Sequence, residues 1–418
     1  MHRQRFDTRS ICLILAAIGL YYFHFYNTPW DKFTIDAPSQ AAYVKHLVEY
    51  GALPTVEHTT AAHHPPAFYV MAASFFRLAQ VVQNDPISTA RHAAMICFVV
   101  FTLMSVNLLR LMLPPRSGGY YAALMVLLFW PIGVTMGARL MCDIFLYAGE
   151  AGVIFYLARW FQTRTVESLS GAFLWAGVSV LGKNSGSAML ALDFCVLFLA
   201  VYQYRCDMRM FLRGGLFLSI LFAVACCMFT FLCERGAWTT QAILFGGSPY
   251  DLSLWWRTFA HFDLFLFAFD SDMGLSHDIF WNMFLHSLLL GNGAMIWGSI
   301  YIPLFFNVLW LAIIVYGLEG MLSYGRKLLR AQTAYILLWL FVGMLTFSMM
   351  FVRIRMNNTE YSDARFIYPV VAVIALWHGT VIEQHRLKGR ARLAQLGMVL
   401  AAGFLVLTPA LFMIQNLL

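Results

Sequence analysis

The sequence predicts an all-α polytopic membrane protein. Hydrophobic residues make up 61% of its 418 positions and charged residues only 12%, with mean hydropathy +0.69; soluble domains do not have this balance. Apolar runs near twenty residues recur along the whole chain, each long enough to cross a bilayer core as a helix. Basic and acidic residues fall in alternate connections between those runs, as the positive-inside rule requires.

Taken in order, the spans are about 9–28, 91–113, 118–137, 140–160, 168–183, 186–204, 211–233, 300–322, 333–352, 365–383 and 396–415, about eleven in all. The first run, Ile11 to Tyr26, has no small-residue cleavage site after it and reads as a retained span rather than a signal peptide. Arg3/Arg5, Arg110/Arg116, Arg159/Arg164, Arg205/Arg209/Arg213, Arg326/Lys327/Arg330 and Arg386/Lys388/Arg390/Arg392 mark the cytoplasmic side, which places the N-terminus there. This parity holds if the segment 67–83, with Arg77 in its middle, is an interfacial helix rather than a crossing. Two external connections are long: 29–90 and the Trp- and Phe-rich 234–299. No soluble terminal domain or internal repeat is evident, so residues 1–418 read as one transmembrane domain.

The net charge of +7 is spread over short inter-span clusters and is not a nucleic-acid footprint. Eight cysteines without a C-x-x-C pair suggest neither a metal centre nor a disulfide framework.

Chemistry concentrates in the external connections. Asp36 precedes an amphipathic stretch, about 38–50, whose apolar face carries Ala41, Val44, Leu47 and Val48. It can be a helix-capping carboxylate or a general base, and the roles are compatible. In His63-His64-Pro65-Pro66 the prolines fix the backbone and open the next helix, holding His64 in place. Asp143 follows Pro131 and Arg139 at the external end of a span; Arg139 and Asp143 are four apart and could pair on one helix face. Glu150 lies seven residues deeper, as a site group or a buried helix contact. Lys183 is a compact cation suited to a phosphate, or a snorkelling interfacial lysine. Arg353, Arg355 and Arg365, beside Glu360, Asp363 and Tyr368, break the positive-inside pattern and call for an anionic partner.

The order Asp36, Tyr43, Gly51-Ala52-Leu53-Pro54, His64-Pro65-Pro66, Phe68-Tyr69 resembles the first external loop of the GT-C membrane glycosyltransferases. Their branches include the protein O-mannosyltransferases and the lipid A aminoarabinose transferases. Gly182-Lys183 is similar to the L-x-K segment of that superfamily, and Arg365-Phe366 leading to Pro369 to its late motif; Gln40 stands where many relatives have His. The resemblance implies a GT-C-like fold and transfer of a sugar from a polyprenyl-phosphate donor to a glycan, lipid or protein acceptor, with inversion. The face would be the non-cytoplasmic one, in a bacterial inner membrane.

It implies Asp36 and Asp143 as the catalytic carboxylates. His64, Lys183, Arg365, Arg353 and Arg355 would stand around the donor phosphate, and Tyr43, His63, Tyr69, Arg139, Glu360 and Tyr368 would bind substrate. Some branches hold a divalent cation, Mg2+ or Mn2+, between the two acidic motifs and others do without. The alternatives are a transporter or flippase of lipid-linked sugars, which would be expected to show inverted repeats, and a non-catalytic relative.

Overall fold

The computed structural model describes residues 7–31, 36–55, 57–204, 215–235, 301–331 and 367–417, together with 281, 282, 285, 288, 338, 341–343, 345 and 346. Among the described residues there are helices and no strands. They are α1 (Thr8–Asn27), α2 (Ala37–Tyr50), α3 (Ala67–Val81), α4 (Pro86–Ala90), α5 (His92–Met112), α6 (Gly118–Leu128), α7 (Pro131–Met136), α8 (Asp143–Thr163), α9 (Val166–Gly182), α10 (Ser187–Tyr204), α11 (Leu216–Arg235), α12 (Tyr301–Ala331), α13 (Val370–Leu387) and α14 (Ala391–Leu417). Six segments among the described residues are long and apolar enough to cross a membrane: Thr8–Asn27, Pro86–Met112, Asp143–Thr163, Asn184–Tyr202, Phe305–Gly325 and Ala391–Met413. Shorter apolar helices, Gly118–Leu128 and Val166–Gly182 among them, pack between these. The chain is an all-α integral membrane protein.

The span expected at 118–137 is not one helix. Pro131 removes a backbone donor and disfavours helix at Trp130, which is extended (φ −66°, ψ 123°). Helix α6 therefore stops at Leu128 and α7 restarts at Pro131. Carbonyls freed at such an end must be satisfied inside an apolar bundle. The Tyr21 hydroxyl donates to the Leu128 carbonyl at 2.6 Å and the Thr408 hydroxyl to that of Phe129 at 2.6 Å. Trp130 stacks on Phe404, 5.0 Å between centroids.

Close packing comes from small residues. A Cβ on Gly119 would lie 2.2 Å from the Gly379 carbonyl oxygen, so α6 and α13 touch backbone to backbone. In the hairpin α8–α9, a Cβ on Gly149 would lie 2.4 Å from Ser179 Oγ and 2.7 Å from Ser179 Cα. This contact brings the start of α8 beside the end of α9. Buried Arg91, between α4 and α5, pins the same end: Nη1 donates to the carbonyls of Thr28 (2.8 Å) and Ala138 (3.2 Å), and Nη2 to that of Phe25 (3.2 Å).

Other boundaries shift for local reasons. The last described spans are Tyr301–Ala331, Val370–Leu387 and Ala391–Leu417 rather than 300–322, 365–383 and 396–415, and the expected 333–352 lies largely outside the described residues. Helix α3 is a 15-residue segment with Phe68, Tyr69, Ala72, Ala73, Phe76 and Ala79 buried, matching the short helix expected at 67–83.

Candidate functional site

Asp36 stands at the N-terminal boundary of α2, with Pro38 in the first turn. Its backbone is helical (φ −80°, ψ −12°) and its carboxylate makes no capping hydrogen bond. The main-chain oxygen alone engages the first turn, accepting from Gln40 N at 3.0 Å and Ser39 Oγ at 2.9 Å. The expected capping role of the side chain is thus corrected: with φ and ψ in the helical region, the carboxylate is not directed at the N–H groups it would cap.

Helix α2 buries Gln40, Ala41, Tyr43 and Val44. Tyr43 stacks on Tyr69 of α3 with centroids 3.7 Å apart and planes 7° from parallel. The Tyr69 hydroxyl donates to Gln40 Oε1 and lies against the Cys142 thiol. Gln40 accordingly serves as the polar partner of Tyr69 where many GT-C sequences carry His.

The segment between α2 and α3 is anchored by Thr59, whose hydroxyl donates to the Ser39 carbonyl at 2.7 Å and accepts from Ala61 N. A short 3-10 turn, Thr60–His63, follows. His63 Nδ1 lies 2.5 Å from the Thr60 carbonyl oxygen. A carbonyl only accepts, so Nδ1 carries the proton and Nε2 is left with its lone pair. The His63 and His64 rings are 3.9 Å apart, and His64 Nδ1 is buried without a hydrogen-bond partner. Burial first, then the Lys183 charge, lowers the His63 pKa, opposed by the Thr60 bond and by the charges of Asp36 and Asp143. Burial, His63 and Lys183 push His64 well below the ordinary imidazole value.

The other half of the site is the mouth of the α8–α9 hairpin. Asp143 opens α8, where a helix N-terminus favours a carboxylate. Lys183 follows α9 in extended conformation. Its Nζ meets Asp143 Oδ1 at 2.6 Å, with the side chains 18% and 5% exposed. Arg139 lies in the irregular buried segment before α8, so it and Asp143 do not share one helix face. Glu150, buried two turns into α8 within reach of Asp143 and Lys183, keeps one carboxylate oxygen without a hydrogen-bond partner.

Asp36, His63, His64, Tyr43, Tyr69, Asp143 and Lys183 thus meet at one end of the bundle, with Arg139 in the adjoining wall. Tyr368 does not join them. It is 1% exposed and packs on Phe101 (5.3 Å), Tyr147 (5.6 Å) and Phe98 (6.0 Å), with Gly133 beneath its hydroxyl. Through Tyr147 it also packs against α8. Arg353, Arg355, Glu360 and Arg365 lie outside the described residues. Sequence reasoning missed Gln40 as a ligand of Tyr69, Cys142 beside it, and Arg91, whose only sequence signal was an arginine at the head of an apolar run.

Among the described residues no three His, Cys, Asp or Glu side chains stand together to hold a divalent cation, and Asp143 carries the Lys183 ammonium on Oδ1.

This helical architecture is the GT-C fold, as the solved structures it superposes on show. The family profile described as dolichyl-phosphate-mannose-protein mannosyltransferase matches residues 63–232, which include His63, His64, Asp143 and Lys183. Among solved structures, ArnT of Cupriavidus metallidurans bound to undecaprenyl phosphate superposes with TM-score 0.53 at 13% identity, over 97% of this chain and 77% of that one. The oligosaccharyltransferase AglB of Archaeoglobus fulgidus, in complex with an inhibitory peptide and a dolichol-phosphate, superposes with TM-score 0.51 at 12% identity, over 98% of this chain and 56% of that one. The same archaeal enzyme in a complex with Zn and sulfate gives TM-score 0.51 at 13% identity, over 97% of this chain and 53% of that one. The chain therefore spans about half the length of the archaeal enzyme. No curated protein sequence matches it.

Proposed function

We propose that the chain transfers a sugar from a polyprenyl phosphate to an acceptor on the non-cytoplasmic face of the membrane, by a single inverting displacement. The observation that carries this reading is the state of Asp36: a carboxylate at a helix start, not engaged in capping, at the bundle end that also holds Asp143, Lys183 and His63. Asp36 takes the acceptor's proton as the acceptor oxygen or nitrogen attacks the anomeric carbon. The bond from that carbon to the phosphate breaks, and the polyprenyl phosphate leaves with one more negative charge.

Lys183, held by Asp143, and His64, through a neutral hydrogen bond, stand on the phosphate side; Arg353, Arg355 and Arg365 of the late motif complete it. Tyr43, Tyr69, Arg139 and Glu360 shape the substrate's surroundings. The acceptor is a glycan, lipid or protein, and the membrane is the inner membrane of a bacterium. Undecaprenyl phosphate bound to ArnT and dolichol-phosphate in the AglB complex support a lipid-phosphate site.

The test is Asp36→Asn. Mass analysis of envelope material from cells lacking the chain identifies the lost glycosylation, and the variant is supplied in its place. Because the Asp36 side chain makes no capping hydrogen bond, Asn removes the basic carboxylate without removing a helix cap. Normal membrane abundance with loss of transfer is expected; substantial retained transfer overturns the assignment of Asp36 as base.

A further inference from the structure

We propose that Tyr69 and Gln40 position the base: the bond from the Tyr69 hydroxyl to Gln40 fixes the first turn of α2 on α3, and with it Asp36 at the reacting bond. This role rests on Asp36 being the base. Asp36 is carried by the first turn of α2. Its main-chain oxygen accepts from Gln40 N at 3.0 Å and from Ser39 Oγ at 2.9 Å, so the carboxylate goes where that turn goes. Gln40 is the residue of the turn whose side chain reaches α3. Its Oε1 accepts from the hydroxyl of Tyr69, in the first turn of α3, and the two side chains are buried, 3% and 0% exposed.

The other restraints on this turn are of a different kind. Tyr43, further along α2, stacks on Tyr69 at 3.7 Å with planes 7° from parallel. A stacked pair holds two helices together but tolerates an offset of the rings. The Thr59 hydroxyl donates to the Ser39 carbonyl at 2.7 Å and ties the turn to the chain that follows α2, not to α3. A hydrogen bond weakens steeply with distance and angle, so the Tyr69–Gln40 bond is the contact that sets the rotation and register of α2 against α3. Helix α3 is itself started by Pro65-Pro66, with Val70 N on the Pro66 carbonyl at 2.9 Å. The bond therefore relates Asp36 to the His64 turn as well. On its far side the Tyr69 hydroxyl lies against the Cys142 thiol, one residue before Asp143.

The same bond decides what Tyr69 does not do. A phenol has one proton to donate, and here it is committed to Gln40 inside the protein. Tyr69 thus acts through Asp36 rather than on the sugar. Gln40 suits the part because an amide keeps its acceptor at every pH.

Two near-isosteric changes break the bond from either side. Tyr69→Phe removes the donor and keeps the stack on Tyr43; Gln40→Met removes the acceptor and keeps the length of the side chain. Turnover is followed as release of undecaprenyl phosphate from undecaprenyl-phosphate-linked sugars, with membranes of cells lacking the chain as acceptor source. Stability is followed as the unfolding midpoint in mixed detergent and SDS micelles. Each single variant should lower kcat by about 10- to 100-fold, the scale of a misplacement near 1 Å, while donor KM changes less than about 3-fold. Each should also unfold earlier, because one buried polar group has lost its partner.

The double variant decides between positioning and folding. With both groups apolar, the unfolding midpoint should return most of the way to wild type. Turnover should not: kcat should stay at the level of the single variants, because the base is held no better with both partners gone than with one. A double variant that regains kcat together with its midpoint shows a contact that serves folding alone and overturns the positioning role. Single variants with wild-type kcat overturn it too, and if Asp36→Asn is inactive in the same assay the base stands without them. If Asp36→Asn turns over, the base reading itself fails and the positioning role falls with it.

Discussion

Replacing Lys183 by Met removes the cation from a nearly enclosed carboxylate. The pair is short, 2.6 Å, with 5% exposure at Asp143 and 18% at Lys183. Breaking a buried pair from one side costs about 3–5 kcal/mol, because the remaining charge stays desolvated; an exposed pair contributes about 1 kcal/mol or less. The partial exposure of Lys183 puts the expected loss near the lower bound, about 3 kcal/mol, or about two powers of ten in the folding equilibrium. Asp143→Asn made in the same chain removes the stranded charge and should recover most of it. The coupling between the two sites should then be about 2 kcal/mol. Equilibrium unfolding of wild type, both single variants and the double variant in mixed detergent and SDS micelles gives this cycle directly. A coupling under about 0.5 kcal/mol would mean that the ion pair does not hold the mouth of the hairpin.

Two further perturbations probe what surrounds the site. Gly149→Ala places a methyl group 2.4 Å from Ser179 Oγ and 2.7 Å from Ser179 Cα; overpacking of this kind should cost about 1–3 kcal/mol in the same unfolding assay, and a change below about 0.5 kcal/mol would refute the close approach. At the start of α1, Asp7 accepts from Ser10 N (3.1 Å), Ser10 Oγ (2.7 Å) and Tyr121 Oη (2.9 Å). Burial alone would raise its pKa, but these bonds outweigh it and draw the group from 3.8 to about 2. Asp7→Ala should lose about 1 kcal/mol of capping. Because the folded pKa is depressed, that difference is full above 3.8 and fades as pH falls toward 2. A difference that persists unchanged at pH 2 would show that the carboxylate's charge plays no part.

The sequence was most informative where a residue type is rare in its surroundings. Asp36, His63, His64, Asp143 and Lys183 stand out against apolar runs, and the structure brings all five to one end of the bundle. Helix α2 was readable from Pro38 and the Ala41, Val44, Leu47 face, and the short α3 from the two prolines before it. The Lys183–Asp143 pair was not readable, because the bond spans forty positions through the α8–α9 hairpin. Tyr368 carried the same motif signal as its neighbours, yet its ring is enclosed by Phe98, Phe101 and Tyr147, contacts set by tertiary packing. The break at Trp130-Pro131 was visible as a proline but was read as lying within a single span.

That break has a consequence for reach. Helix α6 has 11 residues, about 16 Å of rise against a hydrocarbon layer of about 30 Å. Beyond it come α7 and the irregular stretch 137–142, both enclosed by protein, with Tyr21 and Thr408 satisfying the carbonyls at the end of α6. On the proposed orientation, α6 rises from the cytoplasmic boundary and the α8 start at Asp143 lies recessed from the outer water. A sugar tethered to a long isoprenoid would then be met at the depth where its phosphate already travels. The water-soluble or membrane-borne acceptor is the partner that must descend, and the geometry of this recess, more than the chemistry of the carboxylate, would decide which acceptors arrive.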